Sequence, residues 1–159
     1  MADAYVAGLK LLARRELSEA QLRARLVRRQ FDDEAIGTAV ARLQREGALD
    51  DRRTAMACAR TEAHVKRHGR LRALRAVEAL GIARPVARAA VAEAFADLDE
   101  DVLLAQAIER RLGRGQRRAT DATPAVVRRL HRYLLAQGFE AARVAAVLRS
   151  RFKTVSYDD

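Results

Sequence analysis

LLARRELSEAQLRARLVRRQF, residues Leu11 to Phe31, holds six arginines among regularly spaced leucines and contains neither glycine nor proline. Its middle decides the fold. Ser18-Glu19-Ala20-Gln21 has the form of a capping box: the serine hydroxyl faces an orphan amide and the glutamine reaches back. A helix therefore starts at Ser18, and another has just ended. Upstream, Tyr5, Leu9, Leu12 and Ala13 recur at helical spacing and predict a first helix from about Asp3 to Arg15. Downstream, Leu22 and Leu26 share one face, and the chain breaks near Gln30-Phe31-Asp32. Asp32, Asp33 and Glu34 then place acids at the start of a third helix, where they complement its dipole. Ile36, Val40 and Leu43 form its apolar stripe, and Gly47 ends it as a left-handed cap allows.

The pattern recurs. A long helix is expected from about Asp51 to His68, stopped by Gly69. Leu71, Leu74 and Val77 mark a shorter one that stops at Gly81-Ile82, and Val86, Ala90, Val91 and Ala94 a third. After an acidic stretch from Asp97 to Asp101, Val102, Leu104, Ala105 and Ile108 open a seventh helix. Thr123-Pro124, an N-cap followed by proline in the first turn, opens an eighth that Gly138-Phe139 closes. Val144, Val147, Leu148 and Phe152 make the ninth. The joints Leu26–Phe31, Val77–Ile82 and Leu134–Phe139 keep one spacing, 51 and 57 residues apart, and Val40, Val91 and Leu148 follow each at the same distance. The chain reads as all-α, with three tandem three-helix, helix-turn-helix-like repeats expected to stack into an elongated, curved body. The expected modules are residues 1–48, 49–98 and 99–153, the last with a flexible segment at 113–122, followed by a tail at 154–159.

Composition agrees with close-packed helices. Half of the 159 residues are apolar, aromatics are 4% and tryptophan is absent, so small and medium side chains must fill the interior. The formal charge is +10, and Lys10, Lys66 and Lys153 are the only lysines. Arginine thus carries the charge, and the excess suggests a polyanion or an acidic protein surface as partner. One cysteine, Cys58, excludes an internal disulfide and fits a reducing compartment. No apolar run approaches the roughly 20 residues that span a bilayer, and residues 1–10 lack a signal peptide's apolar core. A cytoplasmic location is expected, without a membrane partner.

On a helical wheel of about 100° per residue, Val126, Val127, Leu130 and Leu134 share a narrow sector opposite Arg128, Arg129 and Arg132. Arg25 and Arg28 point away from Leu22 and Leu26, with Arg29 at the border. Arg72 and Arg75 leave the Leu71, Leu74, Val77 stripe. The second helix of each module thus offers arginines that could line one surface.

Catalytic and metal signals are weak by comparison. His64 and His68 have the i, i+4 spacing of a helical zinc pair, yet Val65 stands where a metalloprotease helix carries its glutamate, and no third ligand is near. Cys58 between Ala57 and Ala59 reads as a small buried hydrophobe. Asp97, Asp99, Glu100 and Asp101 sit between helices, where capping accounts for them. Gly113-Arg114-Gly115 lacks the lysine and strand of a phosphate loop. The expectation is no catalytic residue, no metal and no cofactor.

With its double leucine and Arg14-Arg15-Glu16, a variable position at Leu17 and then Ser18, the chain resembles the RecX family of bacterial regulatory proteins. The family's second signature appears as Gly47-Ala48-Leu49-Asp50-Asp51, with Ala48 for the usual aromatic and Thr54 for a phenylalanine soon after. Gly69, Arg72 and Gly81-Ile82 continue the likeness, with Arg70 for a common proline and Leu80 for a common lysine. The resemblance implies a non-enzymatic modulator, a monomer, that lodges in the groove of the RecA filament on single-stranded DNA. Such a protein limits filament growth and with it strand exchange, ATP turnover and cleavage of the SOS repressor. Arg14, Arg15, Arg25, Arg28, Arg29, Arg72, Arg75, Arg128, Arg129 and Arg132 are then the expected contacts to the filament or to its DNA. The alternative is a helix-turn-helix DNA-binding protein that acts without RecA. Against it, the third helix of the first module, Asp33 to Arg45, offers Gln44 alone as a base-reading amide.

Overall fold

The computed structural model of the chain describes residues 3–113 and 122–152; the expected tail and most of the segment 113–122 lie outside them. Among the described residues every regular element is a helix: α1 (Ala4–Leu12), α2 (Glu19–Arg28), α3 (Asp33–Arg45), α4 (Asp51–Arg60), α5 (Arg70–Glu78), α6 (Arg84–Ala94), α7 (Glu100–Leu112), α8 (Pro124–Ala136) and α9 (Ala141–Arg151). A single π-helical turn, Thr61–Val65, prolongs α4. The order is consistent with three successive triplets.

The starts are fixed by local chemistry. Asp3 accepts from the Tyr5 amide at 2.9 Å, Asp32 from Ala35 at 2.7 Å and Asp99 from Asp101 at 2.8 Å. At Ser18 the capping box closes in both directions, each bond 3.2 Å long. Each such cap contributes about 1 kcal/mol.

Two ends differ from expectation. α1 stops at Leu12 rather than Arg15, because Leu17 must turn inward to a position with no solvent exposure. The helix expected to reach His68 loses α geometry after Arg60 and ends at Val65. There the carboxylate of Glu62, 4% exposed, is bound by Lys66 and His68. The wide backbone bonds Lys66 N–Thr61 O and His68 N–Glu62 O close the turn. Arg67 then adopts φ +55° and reverses the chain.

The three joints between second and third helices repeat in detail. Gln30, Gly81 and Gly138 occupy equivalent places and all have positive φ, +64°, +77° and +90°. The residue before the turn is fully buried in each, Leu26, Val77 and Leu134. Val40, Val91 and Leu148 are buried at the matching place on the third helices.

The chain divides into two compact units, residues 1–59 with 74–94 and residues 60–73 with 95–159. In the first, Ala7, Leu11, Leu17, Leu22, Leu26, Ile36, Val40, Leu43 and Leu49 form one apolar core. α1 crosses α3 at Gly8, where a Cβ would come 2.8 Å from Leu43. The second triplet is shared between the units, and local contacts give the reason. In the first unit the start of α2 sits on the α5–α6 joint: the fully buried Ser18 hydroxyl donates to the Leu80 carbonyl. A Cβ on Gly81 would come 2.6 Å from that of Ala20. In the second unit the start of α5 sits in the same way on the α8–α9 joint. The Gly69 amide donates to Gln137 O at 2.8 Å and the Leu71 amide to Gly138 O at 3.1 Å. Cβ atoms on Gly69 and Gly138 would come 2.4 Å from the Gly138 carbonyl group and 2.3 Å from the Arg72 amide. Ser18 and Gly69 are equivalent positions, so the same kind of contact recurs inside each unit.

Polar ties flank each contact. In the first unit Arg53 binds Glu16 at 2.7 Å and the carbonyls of Gly47 and Ala48 at 2.9 and 3.1 Å. The hydroxyl of Thr54, 5% exposed, lies within 3.3 Å of the carbonyls of Leu17 and Asp50. Thr54 is thus accommodated by hydrogen bonds rather than by bulk. In the second unit Arg70 pairs with Glu100 and Arg143 with Asp101, both at 2.7 Å.

Gly138→Ala is expected to destabilise the protein by about 3 kcal/mol, from left-handed backbone and steric overlap together. Gly37→Ala, inside α3 with open space around it, should instead stabilise by roughly 0.5–1 kcal/mol. Thermal unfolding followed by circular dichroism checks both signs.

Candidate partner-binding surface

Which arginines the fold itself uses separates one group from another. Arg23, Arg42, Arg53, Arg70, Arg84, Arg143 and Arg151 pair with carboxylates. Arg42 and Arg111 also lie over the rings of Tyr5 and Tyr133, at 3.8 and 5.3 Å. Among the described residues, Arg14, Arg15, Arg25, Arg28, Arg29, Arg128, Arg129 and Arg132 have no acidic partner.

In the first unit Arg14 and Arg15 are exposed in the link from α1 to α2. Arg25 is half-buried, and Arg28 and Arg29 are exposed at the end of α2. Helical spacing and the stripe of Leu22 and Leu26, both fully buried, put them there. At a C-terminus they also complement the dipole.

The expected pair on α5 behaves differently. Arg75 is exposed, but Arg72 is half-buried; its guanidinium donates to Ala136 O at 3.3 Å, and its backbone abuts Gly138. Arg72 is thereby engaged within the second unit.

On α8, Val127, Leu130 and Leu134 are buried and Arg128, Arg129 and Arg132 exposed. The three do not share one surface. Arg128 and Arg132, a turn apart, line a cleft of about 540 Å³ together with His131, Ala145 and Arg149. Arg129, about 100° round the helix, borders a smaller cleft with Arg111, Leu112, Val126 and Leu130. Arg149 was not among the residues expected from sequence. The stripe Val144, Val147, Leu148 puts it beside the α8 arginines once α8 and α9 are packed, but only pairing the two helices shows it.

The histidine pair does not form. His64 is exposed on the π turn, and His68 lies beyond the reversal at Arg67, with Nδ1 2.6 Å from Glu62 Oε2. A carboxylate only accepts, so this nitrogen carries the proton. Among the described residues no group of three His, Cys, Asp or Glu could hold a metal. Cys58 is half-buried on α4. Of the acids at 97–101, Asp99 caps α7, while Glu100 and Asp101 bind Arg70 and Arg143. No helix among the described residues is long and apolar enough to cross a membrane.

Fold and surface together define a class: a protein whose described residues form repeated three-helix units and leave several exposed arginines without an acidic partner among them. Residues 4–43 match the family model of the RecX first three-helix domain. The regulatory protein RecX of Pelodictyon phaeoclathratiforme is 29% identical over 89% of this chain and 84% of its own length. That of Chlorobaculum tepidum is 32% identical over 66% of this chain and 63% of its own. The crystal structure of RecX from Lactobacillus salivarius superposes with a TM-score of 0.79 at 15% identity, covering 96% of both chains. The chain is thus similar, over most of its length, to proteins named regulatory protein RecX, and its first triplet matches that family's first three-helix domain.

Burial alone would raise the Glu62 carboxyl, but hydrogen bonds from Lys66 and His68 outweigh it and hold the group below the ordinary range. A depressed carboxylate stabilises the fold above its unfolded value, about pH 4.3, and that contribution disappears as pH falls through the folded value. Urea midpoints measured from pH 6 to pH 3 should therefore fall more steeply for the natural protein than for Glu62→Gln. The gap between the two should narrow toward pH 3.

Proposed function

We propose that the chain is a non-enzymatic negative regulator of the RecA recombinase. It binds in the groove of the RecA filament on single-stranded DNA and limits filament growth, and with it ATP turnover, strand exchange and repressor cleavage. The observation that carries the reading is the division of the arginines in a chain with this likeness. At least seven among the described residues pair with carboxylates, while those at the end of α2 and on α8 face outward with no acid to meet them among the described residues. Such unneutralised guanidinium groups suit carboxylates and phosphates, which they bind through a planar fork. A filament supplies both, as acidic protein surface and as enclosed DNA.

Added below the RecA concentration, the protein is expected to inhibit RecA's ATPase on single-stranded DNA; inhibition absent at every dose would overturn the reading. Reversing charge at Arg128, Arg129 and Arg132 together should weaken filament binding at unchanged helicity, because the buried stripe of α8 is untouched. Full inhibition by that variant would remove α8 from the interface. Tight binding to one duplex sequence without RecA would instead favour a helix-turn-helix DNA-binding protein.

A further inference from the structure

The recurring internal contact leaves one joint over. The α5–α6 joint receives the start of α2 and the α8–α9 joint receives the start of α5, whereas in the α2–α3 joint Val27, Arg28, Arg29 and Gln30 are all exposed among the described residues. The carbonyls show the difference. Leu80 O accepts from the Ser18 hydroxyl, Gln137 O and Gly138 O from the amides of Gly69 and Leu71, and Ala136 O from Arg72. Their equivalents in the first triplet, the carbonyls of Arg28, Arg29 and Gln30, accept no hydrogen bond from a described residue.

The residues differ accordingly. Where a joint is covered from within the chain, the two positions before the left-handed residue are Ala79 and Leu80, or Ala136 and Gln137. In the open joint they are Arg28 and Arg29, both exposed, next to Val27 at 52% exposure. The left-handed position itself, glycine in both covered joints, is Gln30. Its side chain prevents a backbone approach as close as that between Ala20 and Gly81.

We infer that the α2–α3 joint is a docking site for the first turn of a helix in a partner protein, one that carries acidic side chains in that turn. Three features select this occupant. Open carbonyls call for N–H donors, which a helix start presents in excess and a phosphate lacks. Two unpaired guanidinium groups call for carboxylates, and acids are favoured in a helix's first turn. Both covered joints of this protein hold a helix start, one through the Ser18 hydroxyl and the other through the Gly69 and Leu71 amides. A second copy of this chain fits poorly. The helix start left over by the repeat pattern, Thr123-Pro124-Ala125-Val126, has no acid, and one copy of a strongly basic chain repels another. This inference rests on the regulator reading above and specifies which feature of the recombinase the first triplet engages.

The test uses the full chain with filaments of RecA on single-stranded DNA. A photo-crosslinking residue is introduced as Val27→p-benzoylphenylalanine, and co-sedimentation is measured before irradiation. The expected result is retained co-sedimentation and a crosslinked recombinase peptide that contains a helix start with acidic residues. Retained co-sedimentation with crosslinks to DNA, to another kind of protein segment or to nothing overturns this inference and leaves the regulator reading standing. Absence of co-sedimentation overturns both. Independently, Arg28→Glu with Arg29→Glu should weaken filament binding about tenfold at unchanged helicity, while Arg28→Lys with Arg29→Lys retains most of it. Equal binding by the glutamate variant likewise overturns the inference.

Discussion

Close backbone approach at two equivalent places holds the fold together. At both of these internal contacts the start of one helix comes so near the turn that ends another because side chains there are missing or short. The pairs are Gly69 against Gly138 and Ala20 against Gly81, and a single added methyl group at either joint would overlap backbone or a neighbouring Cβ. The hydrogen bonds made there, from Gly69 and Leu71 amides and from the Ser18 hydroxyl, satisfy carbonyls that a helix end otherwise leaves open. A three-helix unit of this size is marginal alone, and the contact lets one triplet complete the next.

That constraint also organises the charge. Carboxylates near the contacts are occupied: Glu16 by Arg53, Glu100 by Arg70, Asp101 by Arg143. These partly exposed pairs are each worth only about 0–1 kcal/mol, so their larger effect is on specificity and on surface potential. With these acids paired inside the fold, the exposed arginines at the end of α2 and along α8 are among those that keep their positive charge unneutralised by a described residue. The family motif is divided in the same way. Glu16, Leu17 and Ser18 serve the fold, as salt bridge, core residue and cap, while Arg14 and Arg15 remain exposed.

Much of this was legible in the sequence, because capping residues and apolar spacing act locally. The Ser18 cap, the acids opening α3, the proline opening α8 and the three equivalent joints all emerge from neighbouring residues. What stayed hidden depends on distant partners. The π turn after Arg60 follows from burying Glu62 with Lys66 and His68, and it separates the histidines that spacing alone would pair. Arg72 read as a surface cation because nothing near it shows that Ala136 and Gly138 would lie against it. Arg149 escaped notice because its meaning comes from the packing of α9 on α8. Gln30 gave no left-handed signal of its own; its conformation is legible only by analogy with Gly81 and Gly138.

The account stands on the idea that arginines unused by the fold are the ones a partner meets. Amide hydrogen exchange of the protein, alone and on RecA filaments, tests it most directly. The account predicts added protection at the end of α2 with the turn after it and along α8, with little change at α4 and at the covered joints. Protection confined to those internal contacts, with α2 and α8 exchanging as in the free protein, would contradict it.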